Sequence, residues 1–181
     1  MAQIQVPDRR VLLPKTLDSR LKTLAGLEQE TSGVLLYVPQ NHGEILDYRV
    51  DSLYMTGRGS RHEIEIDPDR QAIVDRFLLS HPDYKSIEWH THVTGNASLS
   101  TTDSHHYREE LEKDPYFIGM IITKTKRTTI KAKGSGKLNT IIVPANQDFY
   151  TRERYVSDEF KKAAGELGYS SVLHLFATRK I

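Results

Sequence analysis

Residues 32–38 read Ser-Gly-Val-Leu-Leu-Tyr-Val and stop at Pro39. So continuous an apolar run fits a strand buried on both faces, with no polar side to turn toward water. A fold containing it must lay other elements over each face, and the neighbouring sequence supplies them. After Leu13-Pro14-Lys15-Thr16, the residues Leu17, Leu21, Leu24 and Leu27 recur at helical spacing, closed by the polar stretch Glu28 to Glu30. Residues 44–54, with Ile45, Val50, Leu53 and Tyr54, suggest a partner strand beyond the Asn41-His42-Gly43 turn. Residues 62–67 alternate through Ile64 and Ile66, which extends the pair to a meander.

Pro68-Asp69 opens a second helix with Ile73, Val74, Phe77 and Leu78 on its apolar side, stopping near Ser80-His81-Pro82. Strand signals return over 84–92. A polar loop, 93–99, leads through Ser100-Thr101-Thr102-Asp103 into a third helix that runs to Glu112 and ends at Asp114-Pro115. Strands are expected over 116–123, 128–133 and 138–143, with Gly134-Ser135-Gly136 as a turn, then a helix over 156–167 and an edge strand at Val172 to Phe176. Helices and strands intermix without strict alternation, so the expected class is α/β, a mixed or largely antiparallel sheet flanked by helices.

A chain of 181 residues can bury roughly 70% of its unfolded surface in one core. One domain over 1–181 is therefore expected, with a core over about 10–145 and a C-terminal helix and strand extension over 146–181. Lys and Arg number 25 against 24 Asp and Glu, so no bulk field draws the chain to nucleic acid or to an anionic membrane. The absence of Cys removes disulfides, thiol nucleophiles and thiolate zinc sites, leaving His and carboxylates for any metal chemistry. No signal-like apolar core and no membrane-length run is present, which points to a cytoplasmic protein.

The segment that carries chemistry is 88–103, Glu-Trp-His-Thr-His-Val-Thr-Gly-Asn-Ala-Ser-Leu-Ser-Thr-Thr-Asp. His90 and His92, two apart on a strand, share a face, so both imidazoles can reach one ion at ~2.0–2.1 Å. Asp103, carried back by the loop to the start of the next helix, can add a third ligand and leave a fourth position for water, as catalytic zinc sites do. Each half has a plainer explanation: His-x-His also marks solvated strand faces, and Ser-x-x-Asp before a helix is an ordinary capping box. Trp89 and Thr91 should face the other way, with Trp89 in the core.

Taken whole, His90-x-His92, seven residues, Ser100, two residues and Asp103 resembles the signature of the JAMM (MPN+) zinc metalloproteases, the zinc isopeptidase family. The resemblance implies a cytidine-deaminase-like fold (an MPN domain), one zinc per chain on His90, His92 and Asp103, and hydrolysis of the bond after the C-terminal Gly of ubiquitin or a ubiquitin-like modifier. Glu30, in Glu-Thr-Ser-Gly before the inner strand, matches the family's Glu-x-x-Gly stretch and so its general base. Glu88, on the face of the two His, and Glu28, at a helix end, are rivals for that role. Ser100 matches the residue that donates to the oxyanion; an N-cap is its other role.

Val93 and Leu99 stand where the family commonly has Pro. His90-Thr91-His92, Leu99-Ser100 and Asp103-Ser104-His105 are similar to the lysine-63-type deubiquitinases. Those enzymes hold a second zinc with a Cys, which this chain lacks, so His105 is expected to cap or face solvent. His106, one turn past Asp103, either steadies that carboxylate or lies exposed. His42, His62, His81 and His174 are read as structural. The connections after Tyr54 and Thr123 are short where the family's ubiquitin-gripping insertions fall, and a compact cysteine-free chain fits a prokaryotic or archaeal member. Segment 124–137, with six Lys or Arg and no acid, reads as a solvated strand face or as a platform for an acidic ubiquitin-like partner, with Lys131 and Lys133 as contacts. Three other functions use the same residues: small-molecule amide hydrolysis, processing of a sulfur-carrier protein, and a catalytically silent scaffold.

Overall fold

A computed structural model describes residues 8–59 and 64–169 of the chain. The apolar run lies in β2 (Thr31–Asn41), between β3 (Ile45–Gly59) and β5 (Lys85–Thr91), antiparallel to both. Leu35 and Leu36 are fully buried on opposite faces, as a doubly covered strand requires. β2 runs two residues beyond Pro39. Since β5 pairs with Ser32 to Tyr37, no described strand pairs with β2 on that side at Pro39, where a missing N–H is tolerated.

The sheet is mixed and curled. β4 (Ile64–Ile66) pairs antiparallel with the end of β3, completing the described part of the meander. β6 (Gly119–Ile122) runs parallel to β5, and β7 (Arg127–Ile130) returns antiparallel to β6. One strand appears that the sequence pattern does not show. Asp8–Pro14, read as a lead into the first helix, forms β1, parallel to β3 and to β8 (Leu138–Val143). Two arginines hide its alternation. Arg9 is buried beside Val11 and Leu13, while Arg10 makes a bidentate pair with its register partner Asp47 at 2.6 and 2.7 Å.

Helices cover both faces. α1 (Lys15–Ala25) sets Leu17, Leu21 and Leu24 against Leu35, Ile87, Trp89, Met120 and Ile122. The helix is shorter than its leucine spacing suggests, because it stops at Ala25 and Leu27 packs from the following turn. On the other face, α2 (Pro68–Ser80) and α4 (Gln147–Glu166) bring Ile73, Phe77, Val156 and Phe160 onto Val34, Leu36 and Tyr54. α4 begins nine residues earlier than expected. Asn146 caps it by accepting from the Phe149 N–H at 3.0 Å, a start signal outside the apolar spacing. The expected edge strand at 172–176, His174 and His62 lie outside the described residues. No helix among the described residues is long and apolar enough to cross a membrane.

α3 (Thr101–Lys113) joins the parallel pair β5 and β6 and packs Tyr107 on Ile121 and Ile130. The carboxyl end of β5 thus meets the amino end of α3, the kind of junction where open α/β sheets bind ligands. The basic segment does not form the expected strand through Lys133: β7 ends at Ile130. The Lys131 ammonium is tied to the Ser135 carbonyl and hydroxyl at 2.9 and 3.0 Å, and Arg127 pairs with Asp18.

Candidate metal centre

His90 and His92 project from one face of β5 and its continuation, where the His92 N–H still bonds the Ile122 carbonyl at 3.0 Å. Trp89 points the other way into the α1 core, and Thr91 is buried against Thr31. α3 delivers the third group. Ser100 is its N-cap and Asp103 its third residue, and together they close a capping box: the Asp103 N–H donates to Ser100 Oγ at 3.0 Å, and the Ser100 N–H donates to Asp103 Oδ2 at 2.8 Å. The local hydrogen-bonding demand of a helix end therefore aims the carboxylate. Ser100 Oγ adds a second bond to Oδ2 at 2.6 Å.

The three side chains converge. His90 Nε2 and His92 Nε2 are 3.0 Å apart, and each stands 3.2 Å from an oxygen of Asp103. Four ligands held tetrahedrally at ~2.0–2.1 Å stand roughly 3.4 Å apart, close to these separations. The side chains are 9, 11 and 16% exposed, so they are shielded yet reach an open space. Among the described residues this is the group whose atoms could hold a metal ion.

The protonation chemistry suits such a group. Burial holds the His90 imidazole below its usual pKa, with the Asp103 charge acting in the opposite direction. For Asp103, burial pushes upward, but the bonds from Ser100 and the neighbouring imidazoles prevail and keep the carboxyl ionised at neutral pH. Backing contacts hold both rings. His92 Nδ1 lies 2.9 Å from the Asn96 carbonyl, and His90 Nδ1 lies 2.8 Å from the Tyr107 hydroxyl.

A cleft of about 810 Å³ opens on this group, with Ile64 and Ile66 of β4 on one wall and Leu99 on the loop wall. Glu30 lines the same cleft just before β2. Continuing the Ser32 to His90 register by two residues sets Glu30 opposite His92. Its two rivals fare differently. Glu88 lines the cleft but is bound to His106 at 2.7 Å, whereas Glu28 is exposed and does not line it. His106 thus pairs with Glu88 rather than with Asp103, and that carboxylate raises its pKa. His105 is exposed and pairs with Glu109 at 3.3 Å.

Sequence reasoning missed three residues at this site. Tyr107 was legible in principle, since it falls four residues after Asp103 on the same helix face. The Asn96 carbonyl carries no sequence signal. Ser32 faces the cleft from β2, and its buried hydroxyl lacks a hydrogen-bond partner among the described residues.

No family matches the sequence, and no curated protein matches it. Solved structures share its fold. The solution structure of protein DSY2949 from Desulfitobacterium hafniense aligns with a TM-score of 0.51 at 17% identity, covering 77% of this chain and 96% of that one. At that identity the likeness concerns the fold alone.

Proposed function

We propose that this chain is a zinc-dependent metalloprotease of the JAMM (MPN+) type. It would cleave the peptide or isopeptide bond after the C-terminal Gly of ubiquitin or a ubiquitin-like modifier, in a cytoplasmic setting. The observation that carries the reading is the convergence of His90, His92 and Asp103 at 3.0 to 3.2 Å beside a cleft that also takes in Glu30. Two imidazoles and a carboxylate aimed at one point offer nitrogen and oxygen donors in a number that suits zinc. We read the mixed sheet as cytidine-deaminase-like, with the acid ahead of β2, the His pair on β5 and the Asp on α3, in the order the motif requires.

A zinc ion bound there would polarise a substrate carbonyl and bring the pKa of a water to about 7. Glu30 is the proton carrier in this proposal, taking a proton from the attacking water and passing it to the departing amine. Glu30 lines the same cleft but is not one of the His90, His92 and Asp103 group, which suits a base that binds no metal. Ser100 would donate to the oxyanion, for which its hydroxyl must turn away from Asp103 while the backbone bonds of the cap persist. The walls of Ile64, Ile66 and Leu99 favour a slim segment such as Gly-Gly over a bulky one. A cleft of this volume also suits a small-molecule amide, the second reading.

The test joins metal analysis to turnover. The protein should carry one zinc per chain, and His90→Ala with Asp103→Ala should carry none. Glu30→Gln should retain zinc and lose 10²–10⁴-fold in the cleavage rate of a Gly-Gly conjugate. A zinc-loaded protein that cuts small amides but no such conjugate would replace the protease reading with the second one. Zinc-loaded protein inert toward both would be a scaffold.

A further inference from the structure

We infer that Tyr107 is a positioning residue for the metal, acting through His90; the inference rests on the zinc reading above. The Tyr107 hydroxyl lies 2.8 Å from His90 Nδ1, and the residue is 2% exposed. Its ring packs on β6 where Gly119 leaves room: a Cβ at that glycine would come within 2.5 Å of Tyr107 Cε1. Phe117 and the His90 ring flank it, with centroids 5.8 and 5.9 Å away. The phenol is therefore fixed by packing, and its hydroxyl is held at one imidazole nitrogen.

The direction of that hydrogen bond follows from ligation. When His90 Nε2 gives its lone pair to a cation, the ring proton must sit on Nδ1, and Tyr107 Oη is the acceptor that the fold sets before it. Without the hydroxyl, a buried N–H loses its partner each time metal binds, and the ring becomes free to rotate away from the geometry shared with His92 and Asp103. α3 thus supplies a ligand and, one turn later, the group that orients a ligand from another element.

Zinc affinity should be measured by competition with a chromophoric chelator for three chains: the wild type, Tyr107→Phe and Leu111→Ala. Tyr107→Phe removes only the hydroxyl and should weaken zinc binding by about 10–100-fold. Leu111 packs in the same cluster as Tyr107 and is not among the lining residues of the metal cleft, so its variant reports on loss of packing alone. It should bind zinc as the wild type does. The visible spectrum of the cobalt(II) form should change in Tyr107→Phe and not in Leu111→Ala. Equal affinity of wild type and Tyr107→Phe, or equal losses in both variants, overturns the positioning role and leaves the zinc site intact. Failure of the wild type itself to bind zinc overturns the site and this role together.

Discussion

Two carboxylates in this protein sit at similar crossings of elements, and their surroundings are opposite. Asp51, fully buried on β3, is ringed by donors: Arg49 in a bidentate pair at 3.0 and 2.9 Å, Arg152 of α4 at 2.8 Å and the Tyr84 hydroxyl at 2.9 Å. Among the described residues, Asp103 takes its N–H and O–H donors from Ser100, within its own cap, and its two oxygens each meet an imidazole nitrogen at 3.2 Å. The first charge is balanced from inside the chain and needs nothing more. The second belongs to a group of His90, His92 and Asp103 side chains that could hold a metal ion. A buried ionic cluster with excess donors reads as architecture, and one with excess acceptors as a binding site.

The contrast can be broken most forcefully at Asp51. Asp51→Ala strands two guanidinium groups and a phenol at the junction of β3 and α4, and should cost about 3 kcal/mol, the low end for a broken buried pair because both arginines are 28% exposed. Urea unfolding of the metal-free protein checks this. A loss under 1 kcal/mol would mean that Asp51 is dispensable to the fold and would erase the distinction.

The metal centre should respond next, and only to metal. Zinc at ~100 times its dissociation constant should add about 2.7 kcal/mol of stability to the wild type, and nothing to His90→Ala with Asp103→Ala. Thermal melts with zinc and with chelator separate the two cases. An equal rise in both proteins would place the ion elsewhere.

Ser100→Ala tests how far the cap, as distinct from the metal, holds Asp103. Loss of the capping hydroxyl should cost about 1 kcal/mol in the metal-free chain. Because Oδ2 keeps the Ser100 N–H bond, zinc should still bind.

The smallest effect expected is at Asp18, another internally balanced acid. Burial pushes its pKa upward, but Lys22 and Arg127 outweigh that and leave it below the ordinary value of 3.8. A depressed folded pKa gives stability that is present above the unfolded value and lost as pH falls through the folded one. The stability gap between wild type and Asp18→Asn should therefore be constant above pH ~5 and shrink below pH ~4. A gap that instead grows on acidification would reverse the sign of the shift.

How much of this was legible in the chain depended on range. Strand periodicity alone set His90 and His92 on one face and Trp89 on the other, because alternation is a property of two neighbouring peptide units. The Ser100 and Asp103 box was readable because a helix start satisfies its own N–H groups within three residues. The start of α2 was readable from Pro68-Asp69, while its cap Asp67, which accepts from the Asp69 and Arg70 N–H groups, was read as the end of the preceding strand. β1 was hidden because Arg9 and Arg10 mask its alternation, and parallel pairing with β3 and β8 comes from far along the chain.

The sequence by itself determined the donor types, their spacing on β5 and the capped turn that carries Asp103. Tertiary structure alone decided which partners those groups meet. Tyr107 reaches His90 across 17 residues, His106 takes Glu88 across 18, and Arg152 closes on Asp51 across 101. Such contacts form only after sheet and helices have packed, since the entropy of closing long loops is recovered through burial of the whole core and not through any one hydrogen bond.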